Sequence, residues 1–372
     1  MKNIVLILPV LPHYRYDFII DLNSKLKRNN MNLTVIAGEN ISRKNVNENL
    51  NIDVKLIKNN TIGINILKFA IQWQLRLIRT VIKIKPDKVI MLWHAGKINY
   101  NILLLILFIK KIPYVLWGSG SGDKRRDLSS SQLKLKSFFK NFFVKNSSSY
   151  ISYGTDFFKE LIKNGYDKNR IFVAQNTIKV ENIYNYLDIS KRSYNKVKFL
   201  FVGVLIANKK LDLAIKICRR LVDEGFTFTF DIVGDGVEFN YLNELITKYN
   251  LREYIFLHGS KYKQELKNIF IKSNVFILPG TGGLAINEAM AYSLPVISTS
   301  GDGTGKDLIT NNINGFLLDD NYKEEILYEK IKFFLNADKK KLKQMGSRSL
   351  SIIKQKGTMR NMVEKFYESI LN

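Results

Sequence analysis

Short, strongly apolar runs alternate with helix-length amphipathic segments along the whole chain, and this alternation limits the possible folds severely. The runs NIVLILPV, NLTVIAG, KVIMLW, PYVLWG, YISYG and IFVAQN are followed, after a polar stretch, by VKFLFVGV, FTFDIVGDG, YIFLHGS, NVFILPG, PVISTS and GFLLDD. Strands this hydrophobic need cover on both faces, which parallel sheets flanked by helices provide. The polar segment KVENIYNYLDISKRSYNK, 179–196, divides the runs into two sets, each large enough for a doubly wound sheet. At 372 residues the chain is also longer than one core usually grows. The expectation is an α/β protein of two Rossmann-like domains facing a cleft. Residues 1–180 form the first, 181–196 a linker, 197–355 the second, and 356–372 a C-terminal helix. Along that helix Met362, Val363, Phe366, Tyr367, Ile370 and Leu371 recur at helical spacing, so one face is buried. Periodicity does not say against which domain.

Composition narrows the function. Lys and Arg number 58 against 33 Asp and Glu, a net charge of +25. Such a surplus attracts nucleic acid, anionic lipid or phosphorylated substrates, although lysine- and asparagine-rich composition also arises by mutational drift. No nucleic-acid motif or aromatic-basic platform is present, and buried parallel strands leave no open sheet for stacking bases. Nucleic acid is therefore not expected as a partner. The one cysteine, Cys218, fits a reducing compartment and reads as a small buried hydrophobe. At the N-terminus Pro9 interrupts the apolar run and no small-residue cleavage site follows, so this stretch reads as a first buried strand. NILLLILFI, 101–109, is too short to span a bilayer.

The stretch TGGLAINEAMAYSLPVIST, 281–299, carries the chemistry. A glycine turn opening onto a helix start presents bare amides and the positive end of the helix dipole, a ready anion site. Glu288, one turn further in, repels a phosphate but accepts hydrogen bonds from hydroxyls attached to it. Phosphate with hydroxyls suggests a nucleotide.

FVGVLIANKKLDLAI, FDIVGDG, IFLHGS, VFILPGTGGLAINEAMAYSLPVIST and GDGTGKDLITNNINGF, in this order, resemble the nucleotide-sugar domain of family 4 retaining glycosyltransferases of the bacterial surface-polysaccharide type, which have the GT-B architecture. The resemblance is strong over roughly 197–320 and weak in the first half. It implies a donor site built from Gly203, Lys209, Gly234, Gly236, His258, Gly259, Gly280, Thr281, Gly282, Gly283, Leu284, Ala285 and Glu288. In it Lys209 neutralises the departing diphosphate, Glu288 accepts from the ribose, and the 234–236 and 258–260 loops receive the base. Lys306, in a second glycine loop, is either a phosphate contact or a solvated lysine. Two positions of this domain depart from the family pattern. Val204 stands where an arginine is usual, with Asn208 or Lys210 as possible compensation, and Gly280 stands where a first glutamate is usual.

The first half supplies the acceptor side. His13, Tyr14 and Arg15 follow its first strand, with Arg15 structural or acceptor-facing rather than catalytic. Ser119 replaces a histidine that touches the transferred sugar in many relatives, leaving His94 as the nearest alternative catalytic group, although a histidine beside a tryptophan is usually only packed. In KRRDLSSSQLKLKSFFKNFFVKN, 124–146, Leu135, Phe138, Phe139, Phe142 and Phe143 share a helical face flanked by lysines, which suits anionic lipid or a core stripe equally.

The resulting expectation is a metal-independent retaining glycosyltransferase without a cofactor. It takes a nucleoside diphosphate sugar as donor and a glycan or polyprenyl-diphosphate-linked glycan as acceptor, in the cytoplasm, peripherally on the inner face of the membrane against its anionic surface. The alternatives are a degenerate nucleotide-binding relative and a nucleotide-sugar 2-epimerase, although the carboxylates and histidine such an epimerase would show in the first domain are not found.

Overall fold

The computed structural model describes residues 1–38, 52–58, 60–64, 69–74, 76–92, 97–119, 130–190, 192–301 and 303–372. The chain divides into two compact units, Met1–Ala174 together with Arg360–Asn372, and Gln175–Met359.

The first unit runs β1 (Lys2–Leu8), α1 (Tyr16–Lys27), β2 (Met31–Gly38), β3 (Asp53–Ile57), β4 (Asn60–Ile64), β5 (Phe69–Trp73), α2 (Leu77–Ile84), β6 (Lys88–Leu92), α3 (Ile98–Ile109), β7 (Tyr114–Gly118), α4 (Ser130–Lys145), β8 (Ser149–Ser152), α5 (Thr155–Lys163) and β9 (Ile171–Val173). Seven of these strands form one sheet in the order β3-β2-β1-β6-β7-β8-β9, while β4 and β5 make a separate antiparallel hairpin. Every neighbouring pair in the large sheet is parallel, β1 and β2 running in step from Lys2 beside Met31 to Leu8 beside Ala37. The first apolar run is thus a buried strand, as its interruption at Pro9 predicts. β3 and the hairpin are strands that the apolar runs do not announce. β3 is an edge strand with only Ile57 buried, so its residues do not need the apolar continuity of a central strand.

The second unit runs α6 (Glu181–Tyr184), β10 (Val197–Val202), α7 (Leu211–Asp223), β11 (Phe228–Val233), α8 (Phe239–Lys248), β12 (Ile255–Leu257), α9 (Lys263–Lys272), β13 (Val275–Leu278), α10 (Leu284–Ala291), β14 (Val296–Thr299), α11 (Thr304–Leu308), β15 (Gly315–Leu318), α12 (Glu324–Asn336) and α13 (Lys339–Lys356). Its six strands are parallel in the order β12-β11-β10-β13-β14-β15. All six come from the apolar runs of the second set. Phe199, Phe201, Phe230 and Phe276 are fully buried in a core continuous across both faces of this sheet. Cys218 packs in the same core, where burial pushes its thiol pKa up.

Arg192 shows what the polar stretch between the two sets does locally. It is buried, and its guanidinium donates to the carbonyls of Ile271 (2.8 Å), Phe270 (3.4 Å), Tyr292 (2.8 Å) and Ser293 (3.0 Å). These carbonyls lie at the C-terminal ends of α9 and α10, where backbone acceptors lack helical partners and a cation is favoured.

The last helix, α14 (Met359–Leu371), packs on the first unit, which answers the question its periodicity leaves open. Phe366 sits against Phe18 (ring centroids 4.6 Å) and Trp117 (4.8 Å). Lys25 pairs with Glu364 at 2.8 Å, and Lys88 donates to the carbonyl of Ile370 at 2.7 Å.

Candidate functional site

In a doubly wound sheet, ligands bind beyond the carboxyl ends of the strands where the strand order reverses. In the second unit that point lies between β10 and β13. The loops leaving them, 203–210 and 279–283, carry Gly203, Lys209 and the glycine turn. Backbone and side-chain hydrogen bonds hold them in place. Thr281 N–H donates to the Asn208 carbonyl (3.1 Å), the Lys209 ammonium donates to the Thr281 carbonyl, and Thr299 Oγ1 donates to the Gly280 carbonyl (2.8 Å). A Cβ on Gly280 would stand 1.9 Å from the Asn208 oxygen and 2.6 Å from Lys209 Cα. Glycine at 280 is therefore what lets the lysine loop lie directly on the turn, and a glutamate does not fit there while the two loops keep this contact.

Gly234 plays the same part for the next loop. Its N–H donates to the Gly259 carbonyl (2.8 Å), its φ is +143°, and a Cβ would meet the Gly203 oxygen at 1.8 Å. Gly203 N–H donates to Val233 and Leu205 N–H to Asp235, so the 203–205, 234–236 and 258–259 segments form one backbone-bonded rim. His258 on this rim holds Asp231 Oδ1 with Nε2 at 2.6 Å. Asp231 is a partner the sequence reading does not single out, although it is the one acid within the apolar strand β11.

α10 begins behind the turn with Gly283 as its N-cap and no side-chain cap. Thr281, Gly282, Gly283, Leu284 and Ala285 are all half-exposed, so the first-turn amides stay open to a ligand. Glu288 follows one turn later. It is half-buried, its carboxylate makes no hydrogen bond or ion pair with the described residues, and burial pushes its pKa up to about 7. The same carboxylate raises the pKa of Tyr292, after the burial of the phenol itself. Asn287 is fully buried beside it and donates to the Asn176 carbonyl (3.1 Å) and Thr177 Oγ1 (3.0 Å), anchoring α10 to the segment where the chain enters this unit.

Val204, where the family's second cation is expected, is 58% exposed. Lys210 does not replace it. Its side chain turns to the Asp320 carbonyl (3.0 Å) and lies over the Tyr322 ring (4.4 Å), while Tyr322 Oη donates to the Pro279 carbonyl (2.8 Å). Lys306 is exposed on the short helix α11. Among the described residues, no group of three or more His, Cys, Asp or Glu side chains is placed to hold a metal ion.

In the first unit, His13, Tyr14 and Arg15 form a turn directly after β1. His13 and Tyr14 are exposed, whereas Arg15 is buried with its guanidinium 4.7 Å from the Trp117 ring and Nη1 at 4.0 Å from Met362 Sδ. Arg15 thus ties β7 and α14 to the β1 turn, a packing role. Ser119 follows β7 and is half-exposed; His94 lies outside the described residues. The expected Phe face of α4 is split, with Phe143 buried and Phe138 and Phe139 exposed.

Residues 183–350 match the family model described as glycosyl transferases group 1, so the second unit carries a domain of that group. The amylovoran biosynthesis glycosyltransferase AmsK of Erwinia amylovora is 30% identical over 167 residues, covering 42% of this chain and 40% of AmsK. Protein CapJ of Staphylococcus aureus is 28% identical over 246 residues, covering 60% of this chain and 59% of CapJ. The chain spans only 33% to 40% of the length of the first three curated relatives it matches. Among solved structures, Anabaena HepE in complex with UDP superposes with a TM-score of 0.72 at 18% identity, covering 100% of this chain and 99% of HepE. The fold is GT-B.

Proposed function

Because residues 183–350 form a glycosyl transferases group 1 domain, we propose that the protein is a retaining, metal-independent family 4 glycosyltransferase. Its donor is a nucleoside diphosphate sugar. Its acceptor is a hydroxyl of a glycan or polyprenyl-diphosphate-linked glycan at the inner, anionic face of the cytoplasmic membrane. The observation that carries this reading is the Lys209 ammonium seated on the 280–283 turn, with the open start of α10 beside it and the unpartnered Glu288 one turn behind. The diphosphate lies on the amides around Gly282, Gly283 and Leu284 and against Lys209, Glu288 accepts from the ribose hydroxyls, and the rim of 234–236 and 258–259 receives the base. The UDP held by HepE supports a nucleotide of this kind.

In the reaction the bond from the anomeric carbon to the diphosphate oxygen breaks, and its electron pair stays on the diphosphate. The acceptor oxygen bonds the same face of the sugar, and its proton passes to the departing diphosphate. Lys209 and the α10 dipole stabilise the charge that grows on the leaving group, which accelerates the step because the contact strengthens as the bond breaks. No cofactor is needed.

A panel of nucleoside diphosphates and their sugars in a thermal-shift assay identifies the donor, since stabilisation grows with ligand concentration over Kd. Lys209→Met then separates turnover from binding. Loss of one preorganised contact costs roughly 10²–10³ in rate, with a much smaller change in nucleotide Kd. Equal turnover in both proteins removes Lys209 from the mechanism. Among the described residues the exposed Val204 and the diverted Lys210 leave Lys209 as the cation at the turn, which favours a non-catalytic nucleotide-binding relative as the second reading. Nucleotide binding without turnover in the wild type would establish that reading.

A further inference from the structure

Apart from Asn99 and Asn101, α3 is apolar all round, and its two faces have opposite fates. Tyr100, Leu103, Leu104 and Leu107 are buried against the sheet. Ile98, Ile102, Leu105 and Ile109 follow one another at i, i+4, i+7 and i+11, a stripe directly opposite the buried one, and all four are exposed, Leu105 by 46% and Ile109 by 68%. A helix of a folded domain ordinarily turns polar residues outward, and a contiguous apolar outer face marks an interaction surface. The stripe continues onto the neighbouring helix. Phe108 meets Phe142 of α4 (ring centroids 5.3 Å), and α4 presents Phe138, 65% exposed, and Phe139.

Charge identifies the occupant. The sequence contains no Asp or Glu from Ile98 to Tyr114 or from Ser130 to Tyr150. Lys110, Lys111 and Lys145 are exposed and form no ion pair with the described residues, and Lys140 is held at 3.4 Å from Glu160. An apolar stripe on helices that carry or precede exposed lysines and contain no acid of their own complements the acyl boundary and phosphates of an anionic bilayer. At 12 residues α3 is about 18 Å long, well short of the roughly 30 Å hydrocarbon core, and among the described residues no helix is long and apolar enough to cross a membrane. We propose that α3 lies in the plane of an anionic membrane with the Ile98–Ile102–Leu105–Ile109 stripe inserted at the headgroup–acyl boundary, Phe138 and Phe139 beside it, and Lys110, Lys111 and Lys145 at the phosphates.

This deepens the membrane contact of the proposed function and rests on it, but not on the transfer chemistry. The test uses the full chain and phosphatidylcholine vesicles with about one-third phosphatidylglycerol. Wild type co-floats with them, and the Leu105→Trp protein shows emission, above that of the wild type, that shifts to the blue and is quenched by brominated acyl chains. The combined variant Ile102→Ser, Leu105→Ser, Ile109→Ser, altered only at exposed positions, binds at least about tenfold more weakly while keeping its thermal shift with UDP. Absence of a UDP shift in every protein counts against the donor reading alone. Wild-type binding with unmoved Leu105→Trp emission and an equally tight triple variant overturns the insertion of α3 and leaves a purely electrostatic contact. A wild-type dimer that the triple variant dissolves, with no vesicle binding, overturns it in favour of a second copy of this chain.

Discussion

Replacement of Glu288 by glutamine has opposite effects on stability and on binding, and both follow from its surroundings. Burial raises the Glu288 pKa from 4.5 to about 7. Between those values the unfolded chain has lost the proton while the folded protein still holds it, so folding takes up a proton and native stability falls as pH rises. At 1.36 kcal/mol per pH unit, the separation of about 2.5 corresponds to at most about 3 kcal/mol. That stability is fully present below pH 4.5 and gone above about 7. Glu288→Gln lacks this dependence, so the variant is the more stable protein at pH 8 and shows a flatter profile through the window. Ligand binding moves the other way. In the proposed donor site the ribose hydroxyls donate to the ionised carboxylate, so wild-type affinity for a nucleoside diphosphate should rise with pH through about 7. The glutamine variant loses a charge-assisted bond of about 1.5–3 kcal/mol, roughly ten- to more than a hundredfold in Kd. Urea denaturation from about pH 4 to 8, with UDP titration calorimetry over the upper half of that range, measures both. Equal pH slopes in the two proteins, or an unchanged Kd at the alkaline end, would refute the reasoning.

Three further substitutions test the framework that holds the site. Arg192→Met leaves the carbonyls of Phe270, Ile271, Tyr292 and Ser293 without their donor, and urea unfolding of the second unit should show a loss of about 3 kcal/mol or more. Gly280→Ala places a methyl 1.9 Å from the Asn208 oxygen, so it should part the lysine loop from the turn and weaken nucleotide binding by at least about tenfold in calorimetry. Phe366→Ala empties the space between Phe18 and Trp117 and should cost about 3–5 kcal/mol, read as faster amide exchange in the first unit with nucleotide affinity unchanged.

The inner strands β10, β13 and β14 of the second sheet are legible in the sequence because they are covered on both faces and so are largely apolar. β3 is not, because an edge strand with one buried residue needs no such signal. At the site, the glycine turn and Glu288 are readable from local chemistry, since a bare helix start and a carboxylate one turn on are properties of adjacent residues. Asp231 beneath His258 and Asn287 holding Thr177 are contacts between residues 27 and 110 positions apart, and periodicity carries no information at that range. Gly280 illustrates the difference best. Against the family pattern it reads as a missing acid, whereas in three dimensions the Asn208 carbonyl already occupies the space of a side chain.

The return of α14 to the first unit has a consequence for biogenesis. Domains ordinarily fold in the order in which the ribosome releases them. Here Phe366, fully buried against Phe18 and Trp117, is made only after the whole of Gln175–Met359, so the core of the first unit stays open while that segment is synthesised. The second unit, Gln175–Met359, is therefore the first to reach its finished state on the ribosome, and a nascent chain exposes the Trp117 face until translation has passed residue 366.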